Sequence, residues 1–422
     1  MNKFNLDALK KMSKNELVKD SLIYGLTNAL FTGLPLILMP FLVVTLSPSD
    51  YGVVELFRSL TMVLVPVLGL STVQSVARYY FDLEEKQFKT FSSTIIVFQI
   101  INGAIGILLI LIFSFLIEEK YLILAYLSVI YFIFNQVTEI LLAIFRVTKS
   151  SKMYMKFRLL NVILDVGLLA VFYFLFDKYT WMYRVFPQVI AVVLVGFLAL
   201  WYFFRREKNK ICFDKALLKV AITYSAPLIL HMLSGYMLNI GDRFFILHFL
   251  DEEALGNYSL AYQISLAVSF FYTSFNLAWT PTFFEWMDQK RYQAIKKVRD
   301  IVFVGVFLLG VGSVLLFFLL QKFIPKMESY NINYSLIILL VSANILLCFY
   351  KFNANYYFYN KNTKLLSKIS LFGAFLVVVF NFLLIPNLGI IGAAITTLIT
   401  FSFMLLMVIY KKDKFNLYNE TN

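Results

Sequence analysis

The sequence predicts an all-α integral membrane protein of about twelve transmembrane helices. Three observations carry that prediction. Apolar residues (AVILMFWYC) make up 60% of the 422-residue chain and charged residues 15%, against roughly 45–50% and about 25% in soluble domains. The mean hydropathy is +0.76, and a water-soluble fold of this length has no interior large enough for so much apolar surface. Lys and Arg fall in short clusters between long apolar runs, which is how membrane topology is written. This pattern also accounts for the net charge of +13 without nucleic acid. Secreted disulfide scaffolds and disordered chains are excluded on the same composition.

The elements follow in order. Residues 1–20 carry Lys3, Lys10, Lys11, Lys14 and Lys19. The apolar stretch after them is too long for a signal-peptide core and reads as a retained first span. Leu6, Leu9 and Leu17 are spaced to line one side of a short interfacial helix ahead of it. A span needs roughly 20 apolar residues. Runs of that kind occupy 20–46, 53–79, 91–117, 121–146, 153–176, 181–204, 216–249, 255–283, 299–324, 333–359, 365–385 and 389–410. Only Pro386-Asn387-Leu388-Gly389 parts the last two. Pro35, Pro40, Pro66 and Pro227 lie inside spans, where each removes a helical hydrogen bond and marks a bend or a passive kink.

Thirty of the 38 basic residues sit in the loops of one side and five in the loops of the other, with Arg58, Arg243 and Lys351 inside spans. That bias places both termini in the cytoplasm and requires an even number of spans. Every loop is short, and no G-x-x-x-x-G-K-[ST] phosphate loop is present. Two cysteines, Cys212 and Cys348, imply no disulfide framework. His231 and His248 are the only histidines, so neither a metal nor a cofactor is expected. A faint internal repeat runs at an offset of 204. Ser21 and Gly52 fall on Ser225 and Gly256, Phe41-Leu42 on Phe245-Ile246, and Leu46 on Leu250. Because the offset is close to half the chain, it divides the protein into two six-helix lobes, 1–211 and 212–422. Parallel repeats of this kind are a transporter architecture.

Several stretches resemble one family. The seventh span begins Tyr224-Ser225-Ala226-Pro227-Leu228 and continues Asn239-Ile240-Gly241-Asp242-Arg243-Phe244-Phe245-Ile246. Leu255-Gly256-Asn257-Tyr258-Ser259-Leu260-Ala261-Tyr262 follows. Ser49-Asp50-Tyr51-Gly52 and Leu384-Ile385-Pro386-Asn387-Leu388-Gly389-Ile390-Ile391-Gly392-Ala393-Ala394 match the same pattern near either end. Together they resemble the Wzx-type polysaccharide-export flippases of the multidrug/oligosaccharidyl-lipid/polysaccharide exporter superfamily. The resemblance implies two lobes around a central cavity. It also implies an undecaprenyl-pyrophosphate-linked oligosaccharide turned from the inner to the outer leaflet by alternating access, driven by an ion gradient. Membrane lipids, a polysaccharide polymerase and a chain-length regulator are the implied partners, and the cytoplasmic membrane the implied location. One departure stands out: multidrug members often carry an acidic ion site in the first span, and residues 21–46 contain no acid.

Ionisable groups in the hydrocarbon cost about 2.5–3.5 kcal/mol each on insertion scales, so each needs a reason. Arg58 and Arg243 suit a pyrophosphate, because planar guanidinium donors bind phosphate oxygens in pairs. Coming from different lobes, they can face one another across a cleft. The alternative is local neutralisation, of Arg58 by Glu55 and of Arg243 by a carboxylate on another span. Arg78, Arg146 and Arg184, near span ends, read as topology anchors. Arg78 and Arg146 also stand where they can gather an anionic headgroup. Lys351 is placed to snorkel to the cytoplasmic surface. Asp165, Glu139, Glu55 and Asp242 are candidates for ion coupling. Asp165 shares a helix face with Asn161, which equally suits a polar clamp between helices. Tyr262, Tyr272 and Tyr356, with Tyr357 and Tyr359, are candidate sugar contacts, or else belt and packing residues. Competing functions are a cation-coupled multidrug exporter, an uncoupled lipid scramblase, and a membrane polymerase or ligase. The last needs a large outer loop with catalytic groups, which these loops are too short to supply.

Overall fold

The computed structural model describes residues 14–175 and 179–413, with side chains over 23–175 and 179–410. The interfacial helix expected at Leu6 and Leu9 lies outside the described residues, as does the side chain of Leu17. Among the described residues there is no strand, and twelve helices run 20 residues or longer. In chain order the helices are α1 (Lys14–Thr45), α2 (Pro48–Val67), the short α3 (Val73–Tyr79), α4 (Glu85–Ile112), α5 (Glu119–Val147), α6 (Ser151–Leu175) and α7 (Trp181–Trp201). Then follow α8 (Lys215–Phe249), α9 (Glu252–Asp288), α10 (Tyr292–Phe323), α11 (Tyr334–Tyr359), α12 (Thr363–Leu388) and α13 (Ile390–Asp413). Ten described helices are long and apolar enough to cross a membrane. The exceptions among the long helices are α2, with Glu55 and Arg58, and α9, with Asn257, Gln263 and Asn276.

The described residues form two compact units. One comprises the chain up to Pro35 with Phe57–Leu233, the other Leu36–Leu56 with Ser234 onward. In the first unit, Phe91, Ile95, Val137, Ile140, Leu141, Phe157 and Val195 form the buried centre. The expected span 53–79 is not continuous. It breaks at residues 68–72, where Leu70 and Ser71 take left-handed φ angles of 45° and 53°. Pro66, just before the break, already lacks an amide donor. Irregular backbone at membrane depth must find partners within the protein. Here Gln99 Nε2 donates to Gly69 O at 3.1 Å and to Thr72 Oγ1 at 2.7 Å, and Asn102 Nδ2 donates to Leu68 O at 2.6 Å.

In the second unit two asparagines of α11 clamp α9. Asn344 donates to Ser265 Oγ (3.0 Å) and accepts from Ser269 Oγ (2.7 Å). Asn355 donates to Asn276 Oδ1 (2.8 Å) and accepts from Thr280 Oγ1 (3.3 Å). The second clamp lies 11 residues further along both helices, about three turns at 3.6 residues per turn, so both clamps fall on one face. The break between α12 and α13 is narrower than expected. Helix α12 continues through Pro386 to Leu388, and Gly389 alone turns the chain, at φ 58° and ψ −143°. Proline late in a helix forfeits one hydrogen bond, whereas that φ/ψ pair is open essentially to glycine only.

The offset of 204 recurs in three dimensions. Asp50 N donates to Ser47 Oγ at 3.1 Å, and Ala254 N donates to Asp251 Oδ1 at 2.7 Å. These are equivalent bonds at the starts of α2 and α9. The two helix starts also cross at their glycines. A side-chain carbon on Gly52 would collide with Glu252 O, and one on Gly256 with Pro48 O. Moving Gly52 forward by 204 gives Gly256 and moving Glu252 back by 204 gives Pro48, so the contact is reciprocal, like one made about a two-fold axis.

Candidate functional site

The densest membrane-embedded charge cluster lies in the second unit. Its position follows from the caps just described, because the starts of α2 and α9 fix Tyr51 and Glu55 on one helix and Tyr258, Tyr262 and Gln263 on the other. Arg243 of α8 is 4% exposed. Its Nη1 donates to Asn239 O at 2.9 Å and to Asp242 Oδ1 at 3.3 Å. Its Nε lies 3.7 Å from Glu55 Oε2, outside hydrogen-bond range, and is buried without a hydrogen-bond partner. The guanidinium stands 5.0 Å over the Tyr262 ring, a cation–π contact. Asp242 accepts from the Arg243 amide at 2.9 Å and from the Tyr258 hydroxyl. Tyr258 Oη lies 3.4 Å from Thr397 Oγ1, and the Tyr51 hydroxyl donates to Gln263 Oε1. Two carboxylates, Glu55 and Asp242, thus stand beside one guanidinium.

Among the described residues the first unit holds one buried ion pair and one partly buried one. Arg184 Nη1 and Nη2 grip the two oxygens of Asp165 at 2.5 and 3.0 Å, a bidentate lock between α6 and α7. Arg158 Nη2 lies 2.8 Å from Glu139 Oε1 and its guanidinium 4.2 Å over the Phe31 ring. The Glu139 side chain is 24% exposed, the Arg158 side chain 9%. Arg184, expected as a topology anchor, is therefore a buried ion-pair partner. Arg158, counted among the basic loop residues, sits inside a helix and also leaves its Nε without a hydrogen-bond partner.

The other expected residues are more scattered. Arg58 is half-buried in the first unit. Arg78 is exposed and pairs with Asp82 one turn on, at 2.7 Å, a geometry of little energetic consequence. Arg146 is exposed and Lys351 half-buried. Tyr262, Tyr272 and Tyr356 are all buried. Tyr272 donates to Asn276 Oδ1 at 3.3 Å, and Tyr356 meets Tyr357 edge-on at 5.5 Å. Tyr357 donates to Val408 O, and Tyr359 to Asp288 Oδ1, both at 2.7 Å.

Sequence reasoning missed Arg158 and Tyr258. The signal for Arg158 was present: Tyr154, Arg158, Asn161 and Asp165 recur at helical spacing on one face. Tyr258 had no such signal, since its role depends on a carboxylate from another helix.

Comparison with known proteins agrees with this architecture. The family model described as "Polysaccharide biosynthesis protein" matches residues 17–287. An uncharacterized membrane protein of Haemophilus influenzae is 25% identical over 396 residues, spanning 89% of this chain and 94% of that protein. Among solved structures, the lipid II flippase MurJ in an inward closed conformation aligns with a TM-score of 0.70 at 15% identity, covering 95% of this chain and 90% of that one. An inward-facing multidrug resistance MATE family transporter of the MOP superfamily aligns with a TM-score of 0.64 at 15% identity, covering 95% and 96%. At such identities the likeness is one of fold.

Proposed function

The chain belongs to the polysaccharide biosynthesis protein family, and from that premise we propose that it is a flippase for a lipid-linked saccharide. The cargo is an undecaprenyl-pyrophosphate-linked oligosaccharide, moved from the inner to the outer leaflet of the cytoplasmic membrane by alternating access, for a surface polysaccharide. It is a multi-pass membrane protein. Both termini are cytoplasmic in this proposal, because 30 of 38 basic residues lie in the loops of one side. The repeat halves 1–211 and 212–422 are the lobes whose motion gives alternating access. A polysaccharide polymerase and a chain-length regulator act on the product.

The observation that carries the proposal is Arg243. It is a buried guanidinium with a donor, Nε, left over, on the α8 stretch that lies within the family match. Such a donor suits a phosphate oxygen. Arg58 and Arg78 are the further headgroup contacts. Glu55 and Asp242, two buried carboxylates beside Arg243, are the ion-coupling candidates. Asp165 and Glu139, each already paired with an arginine, are the weaker coupling candidates. The rings of Tyr262, Tyr272 and Tyr356 are closed off here, so sugar contact belongs to another conformation. Buried carboxylates at this position also suit a second function, the cation-coupled multidrug exporter.

The test uses purified protein in vesicles containing undecaprenyl diphosphate with a fluorescent oligosaccharide. Lipid made accessible on the far leaflet should depend on the protein. Arg243→Lys should retain part of the rate, since a point charge replaces a planar fork. Export of cationic dyes without movement of the lipid would establish the drug exporter instead.

A further inference from the structure

Lys351 is a charge inside a span that none of the ion pairs above absorbs. It is half-buried in the second unit. Among the described residues it makes no ion pair and no hydrogen bond, and its titratable neighbour is the Cys348 thiol. An ionisable group at membrane depth is costly, so one without a counter-charge needs a reason. Snorkelling to the inner surface would have to cover some distance: α11 runs eight residues beyond Lys351 to Tyr359, about 12 Å at 1.5 Å per residue.

The position also faces a neighbouring helix. Asn344, Cys348, Lys351 and Asn355 are separated by four, three and four residues, which at about 100° per residue keeps all four within about 60° of one another. Three of them give the register against α9. Asn344 bonds Ser265 and Ser269, Cys348 Sγ lies 3.9 Å from Ser269 Oγ, and Asn355 bonds Asn276 and Thr280. Every one of these partners stands 75 or 79 residues earlier in the chain. The same offsets from Lys351 give Asn276 and Tyr272. The Asn276 carboxamide oxygen is already taken, by Asn355 Nδ2 at 2.8 Å and Tyr272 Oη at 3.3 Å. Its Nδ2 makes no hydrogen bond among the described residues. Thr273 and Ser274, on the same stretch of α9, are exposed. An ammonium and an amide, both donors, therefore stand together with no acceptor to fill them, and hydroxyls lie close by. That is a place for an anion on a polyhydroxylated molecule.

Depth separates this place from Arg243. Arg243 lies six residues from the end of α8, and Lys351 seventeen from the start of α11, about 9 and 25 Å along the helices. Both of those helix ends are outer in the orientation given by the basic residues, so Lys351 stands roughly 16 Å further in.

We propose that Lys351, with the Asn276 amide, is a second anion site for the cargo, set toward the inner side and distinct from Arg243. It takes a negatively charged oxygen, from an acidic sugar of the saccharide or from the diphosphate as it enters. That the anion belongs to a transported lipid rests on the function proposed above; binding of the anion does not. The test compares the parent with Lys351→Met and Lys351→Arg, purified in one detergent. Because no carboxylate loses a partner, Lys351→Met without ligand should unfold at or above the parent's midpoint. Affinities come from the rise in midpoint with added ligand, using a uronate-containing disaccharide, its neutral counterpart and inorganic pyrophosphate. The parent should bind at least one of the two anions about tenfold or more tightly than Lys351→Met, as for a lost hydrogen bond to a charged group. Lys351→Arg should keep part of that affinity, and the neutral disaccharide should not distinguish the proteins. A difference with the uronate assigns the site to an acidic sugar, and one with pyrophosphate alone assigns it to the diphosphate. Equal affinities of parent and Lys351→Met for both anions, or a Lys351→Met protein that unfolds well below the parent, overturn the site. Movement of the fluorescent lipid by Lys351→Met within about twofold of the parent overturns its role toward the cargo. If the affinities differ as described and no form moves the lipid, the flippase function fails and the anion site stands.

Discussion

Replacing Arg243 with glutamine removes a guanidinium from a buried cluster that holds Glu55 and Asp242. At 3.7 Å and an effective dielectric near 20, the attraction to Glu55 alone is about 4–5 kcal/mol before desolvation is counted. Asp242 keeps two donors after the change, the backbone amide of residue 243 and the Tyr258 hydroxyl. Glu55 loses the charge that faces it. Breaking a buried pair by removing one partner costs about 3–5 kcal/mol, so Arg243→Gln should lower stability by that amount. Glu55→Gln should cost less, because Arg243 retains Asp242, Asn239 O and the Tyr262 ring. The double variant should recover part of the loss, with a coupling of about 0.5–3 kcal/mol. The assay is denaturant or thermal unfolding of the four purified proteins in one detergent, followed by tryptophan fluorescence. A stability for Arg243→Gln within about 0.5 kcal/mol of the parent, or strict additivity in the cycle, would refute the pairing. The same four proteins separate folding from cargo binding. If the double variant regains stability but not transport, Arg243 acts on the cargo as well as on Glu55.

Arg184→Ala should reduce the yield of folded protein sharply, at about 3–5 kcal/mol, because Asp165 is left buried without its counter-charge. Combining Asp165→Asn with Arg184→Gln should restore most of it, and equal yields from the parent, the single and the double variant would show that the pair contributes nothing. For orientation, a reporter inserted after Lys208 should read cytoplasm and one at Glu252 the exterior; finding the 205–216 loop outside would overturn the twelve-span topology.

The span positions were legible because each apolar run is bounded by charges, and the twelve long helices begin and end within a few residues of those runs for the most part. What the runs could not show is how a helix behaves inside one. Pro66 marked a bend or kink in the expected span 53–79, but the break after α2 and its rescue depend on Gln99 and Asn102, about 30 residues away. The charged residues divide the same way. Hydropathy found Asp165 and Arg243 as costly insertions, while the cost is offset by partners that sequence distance conceals: Arg184 lies 19 residues from Asp165, and Glu55 lies on α2 while Arg243 lies on α8. Arg158, counted toward the inner loops, sits inside α6, since a basic residue one or two turns into a span still reads as a flank.

The repeat shows why so little sequence identity was left to find. Within lipid, apolar side chains of similar volume exchange at small cost, so lining residues drift without changing the fold. The backbone crossing of α2 and α9 has no such freedom. Gly52 and Gly256 meet carbonyl oxygens where a methyl group would collide, and this position keeps the same residue in both halves. The caps ask for less. Ser47 and Asp251 differ, but each needs only a short side-chain oxygen for the amide three residues on, and serine and aspartate cap comparably. The starts of α2 and α9 therefore share a glycine by identity and a cap by chemistry. An alignment scored on identity sees the first and only partly sees the second, although both lie at the reciprocal contact.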